Sequence, residues 1–381
     1  MKCPRCGNTD PAYFHYGSKG FYCRRCIRFG RMMVKESSQP AVLMPIKEGA
    51  QEYLLQYPLT PAQKEVSYAC ASAIAQHQNV LIKAVCGAGK TELTVESISD
   101  ALRQGKKVCF AIARRQVVLE LAQRLSEIFP HTQVIAVCGG HTQITDCSGI
   151  IVCTTHQLYR YTMAFDLLIL DEPDAFPFKG DPVLHGIADN ACRGNRIYLT
   201  ATPDEHLSSL VKKKQLLQLE LNRRPHGHDL PVPALKTGPL SYRFLLLLQW
   251  IRAHEDHPRM VFVPTIVIAH RLHAVLNRLF PCYECTSRTE NRDEVIAAFR
   301  KEKAGLIVAT TVLERGVTVP GADICIWNAD HGVFDEAGLI QMAGRAGRSF
   351  KSPDGDVLFL LSRRSSLAEK CRNEIVRCNS L

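Results

Sequence analysis

The feature of this sequence that most constrains its fold is a repeated alternation of short apolar runs with amphipathic segments. Apolar runs of about four to eight residues are typical of buried strands, and amphipathic segments between them favour covering helices. Two series of runs occur, at 79–84, 106–112, 132–137, 149–154, 165–170 and 195–201, and then at 259–264, 282–286, 305–310, 322–327 and 355–361. The alternation predicts an α/β protein with mostly parallel sheets.

The two series are separated by a stretch rich in proline and glycine at 222–239. Such a composition is typical of a linker, so we expect two α/β units in tandem, at 57–221 and 240–381. A second linker is predicted at 36–56, where two prolines interrupt any sustained periodicity. Residues 1–35 then form an N-terminal module.

No segment of the sequence has the pattern of a membrane span. The longest apolar stretch, at 261–269, is interrupted by Pro264 and is far shorter than the roughly 20 residues that cross a bilayer. The first residues contain no apolar core of the kind found in secretory signals. We therefore expect a cytoplasmic protein without a transmembrane segment.

Four cysteines in the N-terminal module have the spacing of a zinc site. Cys3 and Cys6 form one C-x2-C pair, and Cys23 and Cys26 form a second after sixteen intervening residues. Each pair can present two thiolates to one tetrahedral ion, with a hairpin between the pairs. About 30 residues cannot bury a sufficient core, so zinc is expected to supply the folding energy. We expect the core of this module to be separate from those of the α/β units.

The module is also basic and rich in aromatic residues, within a chain of net charge +10. Residues 1–35 contain eight lysines and arginines and one acid, Asp10. The six aromatic residues among them are Tyr13, Phe14, Tyr16, Phe21, Tyr22 and Phe29. Such a surface suits single-stranded nucleic acid, because cations bind phosphates and rings stack on bases. The charges could instead form a solvated face and the rings a small core, and the sequence does not assign individual rings.

The first predicted strand runs into AVCGAGKTE at 84–92, which resembles a phosphate-binding loop in composition and context. Glycines allow backbone N–H groups to surround phosphates, Lys90 can reach the β and γ oxygens of ATP, and Thr91 can ligate Mg²⁺. A helix is predicted directly afterwards. The residues predicted to contact the nucleotide here are Gly87, Ala88, Gly89, Lys90, Thr91 and Glu92.

The fifth predicted strand is followed by DEPDAFPF at 171–178. A phosphate loop needs an acidic partner at the end of another buried strand, and Asp171 is predicted to hold Mg²⁺ in that role. Glu172 is predicted to orient and deprotonate the attacking water. Pro173 disfavours a helical backbone at the preceding residue, so we expect Glu172 to be extended. The alternative interpretation is an acidic turn without a catalytic role.

Two further motifs of the first unit fit the same chemistry. Gln63 in LTPAQ precedes the phosphate loop, where a glutamine amide can contact adenine. TATP, at 200–203, follows the sixth predicted strand, and a pair of arginines at 114–115 follows the second.

The second unit contains IVATTVLERGVTVP at 307–320 and QMAGRAGRS at 341–349. Arg345 and Arg348 are predicted to act as arginine fingers toward the γ-phosphate, with Gln341 as a further nucleotide contact. GRAGR alone could be a solvated basic loop. The prediction of a catalytic role for it depends on the occurrence of all seven motifs in the expected order.

The seven motifs together resemble those of superfamily 2 helicases and translocases over about residues 57–365. DEPDAFPF is similar to the DEVDAFPF-type motif of the ComFA family of late-competence ATPases, in which a four-cysteine zinc module also precedes the motor. Pro173 stands where valine is usual in that motif. The resemblance implies two RecA-like domains that use ATP and Mg²⁺, preceded by a module that binds Zn²⁺.

The resemblance further implies a DNA-stimulated ATPase that helps to drive transforming single-stranded DNA into the cytoplasm, peripheral to the inner face of the membrane. Its implied partners are single-stranded DNA, other competence proteins such as ComFC, and the membrane DNA channel. Two alternatives stay open: a general DNA or RNA helicase with a zinc recognition module, and a non-enzymatic zinc-containing DNA-binding adaptor.

Overall fold

The computed structural model describes residues 1–35, 40–314, 319–347 and 355–380. Contacts between residues divide the chain into two compact units. The first unit consists of residues 1–84 and 89–221, and the second consists of residues 85–88 and 222–381. Each unit contains a parallel sheet, which confirms the predicted fold class.

The N-terminal residues form a small antiparallel hairpin. Strand β1 (Phe14–Gly17) pairs with β2 (Gly20–Cys23), so that Tyr16 lies opposite Phe21. Short 3-10 turns precede and follow the hairpin, at Pro11–Tyr13 and Ile27–Phe29. The hairpin expected between the two cysteine pairs is therefore present.

The sheet of the first unit contains seven parallel strands among the described residues, in the order β5-β6-β4-β7-β8-β3-β9. These are β3 (Val80–Ala84), β4 (Val108–Ile112), β5 (Val134–Val137), β6 (Ile150–Thr154), β7 (Phe165–Asp171), β8 (Cys192–Thr200) and β9 (Leu217–Leu221). Every residue of β4 and β6 is buried, which requires cover on both faces of the sheet. This explains why their sequences are unbroken apolar runs rather than alternating ones.

The helices of the first unit are α1 (Pro61–Ala75), α2 (Val95–Arg103), α3 (Arg115–Ile128), α4 (Pro182–Ala191) and α5 (Glu205–Lys212). Their start points follow from capping side chains. The Asp181 carboxylate accepts hydrogen bonds from the N–H groups of Val183 and Leu184, and Pro182 occupies the first turn of α4, where a missing N–H costs little.

The sheet of the second unit contains six parallel strands among the described residues, in the order β10-β15-β14-β11-β13-β12. These are β10 (Ala234–Thr237), β11 (Arg259–Phe262), β12 (Tyr283–Cys285), β13 (Leu306–Ala309), β14 (Asp323–Trp327) and β15 (Val357–Leu361). The helices are α6 (Leu240–Ala253), α7 (Ile266–Leu276), α8 (Arg292–Lys301), α9 (Glu336–Ala343) and α10 (Ser366–Ser380).

Two edge strands were not predicted. β9 pairs with β3, and β10 pairs with β15 inside the segment 222–239 that was predicted to be a linker. Both strands are largely half-buried or exposed, so they lack the apolar pattern of a central strand. Backbone pairing with an existing sheet edge forms them, and composition does not record that pairing.

Among the described residues, no helix combines the length and apolar character needed to cross a membrane.

Candidate nucleotide and zinc sites

The candidate nucleotide residues of the first unit follow neighbouring strands of one sheet. β7, β8 and β3 are adjacent and parallel, so their carboxyl ends lie at the same edge. With neighbouring strands about 4.8 Å apart, the ends of β7 and β3 are roughly 10 Å apart, with the end of β8 between them. The phosphate loop follows β3, and Asp171 is the last residue of β7. Lys90, Thr91, Asp171 and Glu172 are therefore presented at one sheet edge.

The phosphate loop uses its glycines for backbone conformation and for close approach. Gly87 and Gly89 have φ values of +84° and +79°, in the left-handed region that favours glycine. A Cβ atom at Gly89 would lie 2.7 Å from Nε2 of Gln63 and 3.2 Å from Oε2 of Glu92. A larger residue at this position would therefore collide with the side chains that line the loop.

Gln63 lies against the phosphate loop and also begins helix α1. Its Oε1 accepts a hydrogen bond from the Thr60 N–H at 3.0 Å, while its own N–H donates to Oγ1 of Thr60 at 3.3 Å. This capping box fixes the Gln63 side chain, which is 4% exposed. The structure thus places Gln63 beside Gly89, and its contact with adenine stays a prediction.

Glu92, which was predicted to contact the nucleotide, forms an ion pair with a neighbouring helix. Its Oε1 pairs with Nη2 of Arg124 on α3, which holds the carboxylate beside the loop. The predicted helix after the loop begins as a 3-10 turn over Glu92–Thr94, and the α-helix starts at Val95.

The expected extended backbone at Glu172 is wrong. Glu172 has a φ of +52°, in the left-handed region. Its N–H donates to the Leu199 carbonyl of β8 at 2.8 Å, and its own carbonyl accepts from the Ala175 N–H at 2.9 Å. Pro173 occupies the second position of this turn, which suits a fixed φ and a missing N–H. Contact with β8 therefore overrides the local preference of a residue that precedes proline.

Asp174 is a site residue that sequence reasoning missed. Its side chain is buried, and its two carboxylate oxygens accept hydrogen bonds from Oγ1 of Thr200 at 2.5 Å and from Oγ1 of Thr202 at 2.8 Å. These bonds join the loop after β7 to TATP, which begins at the last residue of β8. The motif TATP was recognised, but its partner lies 26 residues earlier in the chain, and neither segment alone signals the pairing.

In the second unit, Gln341 and Arg345 are buried, with 2% and 3% of their surface exposed. Oε1 of Gln341 accepts a hydrogen bond from Sγ of Cys86 at 3.1 Å, and Nε of Arg345 donates to the Glu314 carbonyl at 2.9 Å. Arg348 lies outside the described residues. The roles of Arg345 and Arg348 as arginine fingers stay predictions.

Arg224, another residue that the sequence did not single out, holds the GRAGR segment from within the second unit. Its guanidinium donates hydrogen bonds of 2.7–2.9 Å to the carbonyls of Gly344, Ala346 and Gly347, and a further one to that of Cys86. The side chain is 2% exposed. A cation at the carboxyl end of α9 satisfies carbonyl groups that the helix leaves unpaired.

The four predicted zinc ligands come together in a buried cluster. All four Sγ atoms lie within 4.8 Å of one another. Cys3 and Cys26 are separated by 3.7 Å, and Cys6 and Cys23 by 3.9 Å, between sulfur atoms. Four thiolates about 2.3 Å from a tetrahedral zinc ion would lie about 3.8 Å apart. The arrangement of the sulfur atoms therefore fits zinc.

The expectation of a separate core for the cysteine module is wrong. The four cysteines and Phe14 belong to one apolar cluster with Leu184 and Ile187 of α4. A Cβ atom at Gly186 would lie 2.0 Å from the carbonyl oxygen of Cys6, so glycine is required for this approach. A small module that cannot bury its own apolar surface gains cover from a neighbouring helix.

An ion pair adds to this packing. Nη2 of Arg28 lies 2.5 Å from Oδ2 of Asp181, the residue that caps α4. Burial pushes the pKa of Asp181 up, but hydrogen bonds from Arg28 and from the N–H groups of Val183 and Leu184 outweigh it and lower the pKa. Asp181 is therefore ionised at neutral pH, although a half-exposed pair contributes at most about 1 kcal/mol.

Comparisons with known proteins agree with this geometry. A model of the helicase conserved C-terminal domain matches residues 242–350, and a model of the res subunit of type III restriction enzymes matches residues 56–205. Competence protein ComFA of Bacillus subtilis (strain 168) is 34% identical over 100% of this chain and 86% of that protein. ComFA of Streptococcus pneumoniae (strain ATCC BAA-255 / R6) is 34% identical over 99% of this chain and 90% of that protein.

The chain belongs to the ComFA family. The resemblance drawn from DEPDAFPF and the cysteine module is thereby confirmed. Membership of the ComFA family, with the two helicase-type domains, identifies a helicase-like ATPase of natural competence. RecG, an ATP-dependent DNA helicase of Synechocystis sp., is a more distant relative, 25% identical over 88% of this chain and 43% of RecG.

Solved structures of helicases share the fold. Dbp5 of S. cerevisiae bound to RNA and ADP BeF3 has a TM-score of 0.62 and 16% identity, covering 84% of this chain and 91% of that one. RecG bound to a three-way DNA junction has a TM-score of 0.61 and 19% identity, covering 84% of this chain and 45% of that one. At these identities the likeness establishes the RecA-like helicase fold alone.

The residues at the carboxyl ends of β3 and β7 fit ATP and Mg²⁺. The Thr91 hydroxyl and the Asp171 carboxylate are hard oxygen ligands of the kind that Mg²⁺ prefers, and Lys90 supplies a cation for phosphate. Oε2 of Glu92 is a buried oxygen without a hydrogen-bond partner in the described part of the chain, so it can still accept a hydrogen bond beside the loop. When bound, Mg²⁺ would neutralise charge between the β- and γ-phosphates.

We expect the wild-type protein to bind one zinc ion per chain and Cys23→Ser to lose it, because a hydroxyl does not replace a thiolate ligand. The hairpin should melt, and α4 should lose hydrogen-exchange protection with it because both share a core. Strands β11 and β14 belong to a separate core in the second unit and should keep their protection. Metal analysis and hydrogen exchange measure these effects. Cys282→Ser, at a half-buried thiol of the second unit, is the matched control. A full zinc complement in Cys23→Ser would refute the site and make His15 the next ligand to test.

Proposed function

We propose that this ComFA protein is a DNA-stimulated ATPase that moves along single-stranded DNA and so helps to draw transforming DNA into the cytoplasm. The observation that carries the proposal is the placement of the phosphate loop and the Asp171–Glu172 pair at one edge of the first sheet, in a chain related to ComFA over its full length.

In this proposal each residue has a defined task. Lys90 and the backbone N–H groups of the loop bind the β- and γ-phosphates, while Thr91 and Asp171 hold Mg²⁺. Glu172 orients the attacking water and takes its proton. Asp174 fixes the loop that carries Glu172 through its bonds to TATP. Arg345 and Arg348 stabilise the charge that develops on the γ-phosphate.

The proposed partners are single-stranded DNA, ComFC and the membrane DNA channel, and the proposed location is the cytoplasm at the inner face of the membrane. The family name supports a competence role, and the basic module supports a polyanionic partner. Eight lysines and arginines against one acid in residues 1–35 leave the module positive even after a zinc ion with four thiolates contributes −2.

The test is the rate of phosphate release at saturating ATP with single-stranded DNA, blunt duplex of the same length, or RNA. We expect single-stranded DNA to stimulate most, with little sequence preference, and its affinity to fall steeply with salt because bound phosphates release counterions. Greater stimulation by duplex or RNA would instead favour a general helicase. No hydrolysis under any condition would favour a non-enzymatic adaptor.

A further inference from the structure

The structure assigns the six aromatic rings of the cysteine module to different environments. Phe14 is buried in the core that the cysteines share with α4. Phe29 packs on Tyr159, with ring centroids 5.3 Å apart. The guanidinium groups of two arginines lie over Tyr13 and Tyr22, at 5.1 and 5.2 Å from the ring centroids. Core packing therefore accounts for Phe14 and Phe29, while arginines cover Tyr22 and Tyr13, the latter still 40% exposed.

Tyr16 and Phe21 remain on the surface as a pair. They lie opposite each other in the hairpin, with ring centroids 5.0 Å apart and planes at 74°. Tyr16 is 73% exposed and Phe21 is 40% exposed. Exposing two adjacent large rings on so small a module is unfavourable in water, which suggests a ligand.

The backbone beneath this pair is anchored. Phe14 and Cys23 lie two residues from Tyr16 and Phe21 on the same face of the hairpin, and both are buried. Rings on an anchored hairpin lose little conformational freedom when a ligand stacks on them.

The charges near the pair are positive. Lys19 lies in the turn between β1 and β2, Arg24 directly follows β2, and both side chains are exposed. A ligand that carries both flat apolar surfaces and negative charges complements this face, and unpaired nucleotides combine the two.

We propose that Tyr16 and Phe21 form a stacking platform for unpaired bases of single-stranded DNA, with Lys19 and Arg24 contacting the flanking phosphates. This inference rests on the function proposed above, since it assigns a surface to the DNA partner. Duplex DNA keeps its bases stacked inside the helix, so the platform discriminates against it. The cysteine module, which is separate in sequence from the motor motifs, thus confers the preference for single-stranded DNA.

The experiment measures binding of a fluorescein-labelled oligo(dT) and of a blunt duplex to the full-length protein without nucleotide, at several salt concentrations. Tyr16→Ala is expected to weaken oligo(dT) binding about 5- to 150-fold, the range found for loss of one stacked base. The salt dependence should not change, because no phosphate contact is removed. Tyr16→Phe should bind like wild type. Lys19→Ala should reduce the steepness of the fall in log affinity with log salt by about 0.7, because one phosphate contact is lost.

Tyr68→Ala is the matched control, since Tyr68 on α1 is 60% exposed and lies outside the module. Oligo(dT) binding by Tyr16→Ala within twofold of wild type would overturn the platform, as would equal losses for oligo(dT) and duplex. A Tyr16→Phe variant as weak as Tyr16→Ala would also overturn stacking, because the hydroxyl would then be the contact. If the wild-type protein fails to prefer oligo(dT), the proposed function itself fails, which separates the two outcomes.

Discussion

Glu172→Gln is expected to bind ATP normally and to hydrolyse it at least ~100-fold more slowly than the wild-type protein, because an amide cannot accept the proton of the attacking water. The backbone at Glu172 is held at both its N–H and its carbonyl, by Leu199 and Ala175. An isosteric amide should therefore keep the loop in place. The loss should appear in kcat while the dissociation constant for ATP stays unchanged.

Phosphate release and equilibrium binding of a fluorescent ATP analogue measure the two quantities. Lys90→Ala serves as the contrasting variant, since it should weaken ATP binding as well as turnover. Glu220→Gln, at an exposed carboxylate on β9, is the control that should behave like wild type. Near-normal turnover in Glu172→Gln would show that another group activates the water.

Arg348→Ala is expected to lower the DNA-stimulated hydrolysis rate by roughly 10³- to 10⁵-fold, the range measured for arginine fingers. DNA binding without nucleotide should change little, because Arg348 is proposed to act on the γ-phosphate rather than on DNA. Arg345→Ala should lower the rate too, but it should also lower the free energy of unfolding of the second unit. The buried Arg345 side chain donates to the Glu314 carbonyl through Nε, and leaving that carbonyl without its donor costs about 1–3 kcal/mol.

Thermal unfolding separates these two arginines, and stimulated ATPase rates measure the shared effect. Arg252→Ala, at an exposed arginine on α6, is the control for loss of one positive charge. If Arg348→Ala loses DNA binding while hydrolysis persists, the residue contacts DNA rather than the nucleotide.

Local patterns in the sequence were enough to predict the buried strands and to indicate two candidate sites. Strands such as β4 and β6 are covered on both faces. Their burial therefore requires apolar side chains at consecutive positions, which can be recognised in the sequence. The phosphate loop and the C-x2-C pairs are equally local, because each site needs particular residue types within a few positions. The structure brings the four cysteines of these pairs together in one cluster.

Edge strands and backbone conformations at the site could not be predicted from local sequence patterns. β10 is mostly exposed and forms only because β15 presents an unpaired edge. The left-handed conformation of Glu172 contradicts the preference set by Pro173, because bonds to Leu199 and Ala175 stabilise it. A local propensity is worth little against a buried hydrogen bond, so such positions are decided by tertiary contacts.

The sequence by itself determined the α/β class, the candidate phosphate loop, the acidic pair and the two cysteine pairs of the candidate zinc site, since these depend on neighbouring residues. Only the tertiary structure decided which aromatic rings of the cysteine module are exposed, that this module shares a core with α4, and that Asp174 and Arg224 hold the loops near the predicted catalytic groups. Several of those features join segments more than a hundred residues apart, as Arg224 does with Gly344 across 120 positions. Contacts over such separations exist only once the fold has closed the intervening chain, so no local pattern encodes them.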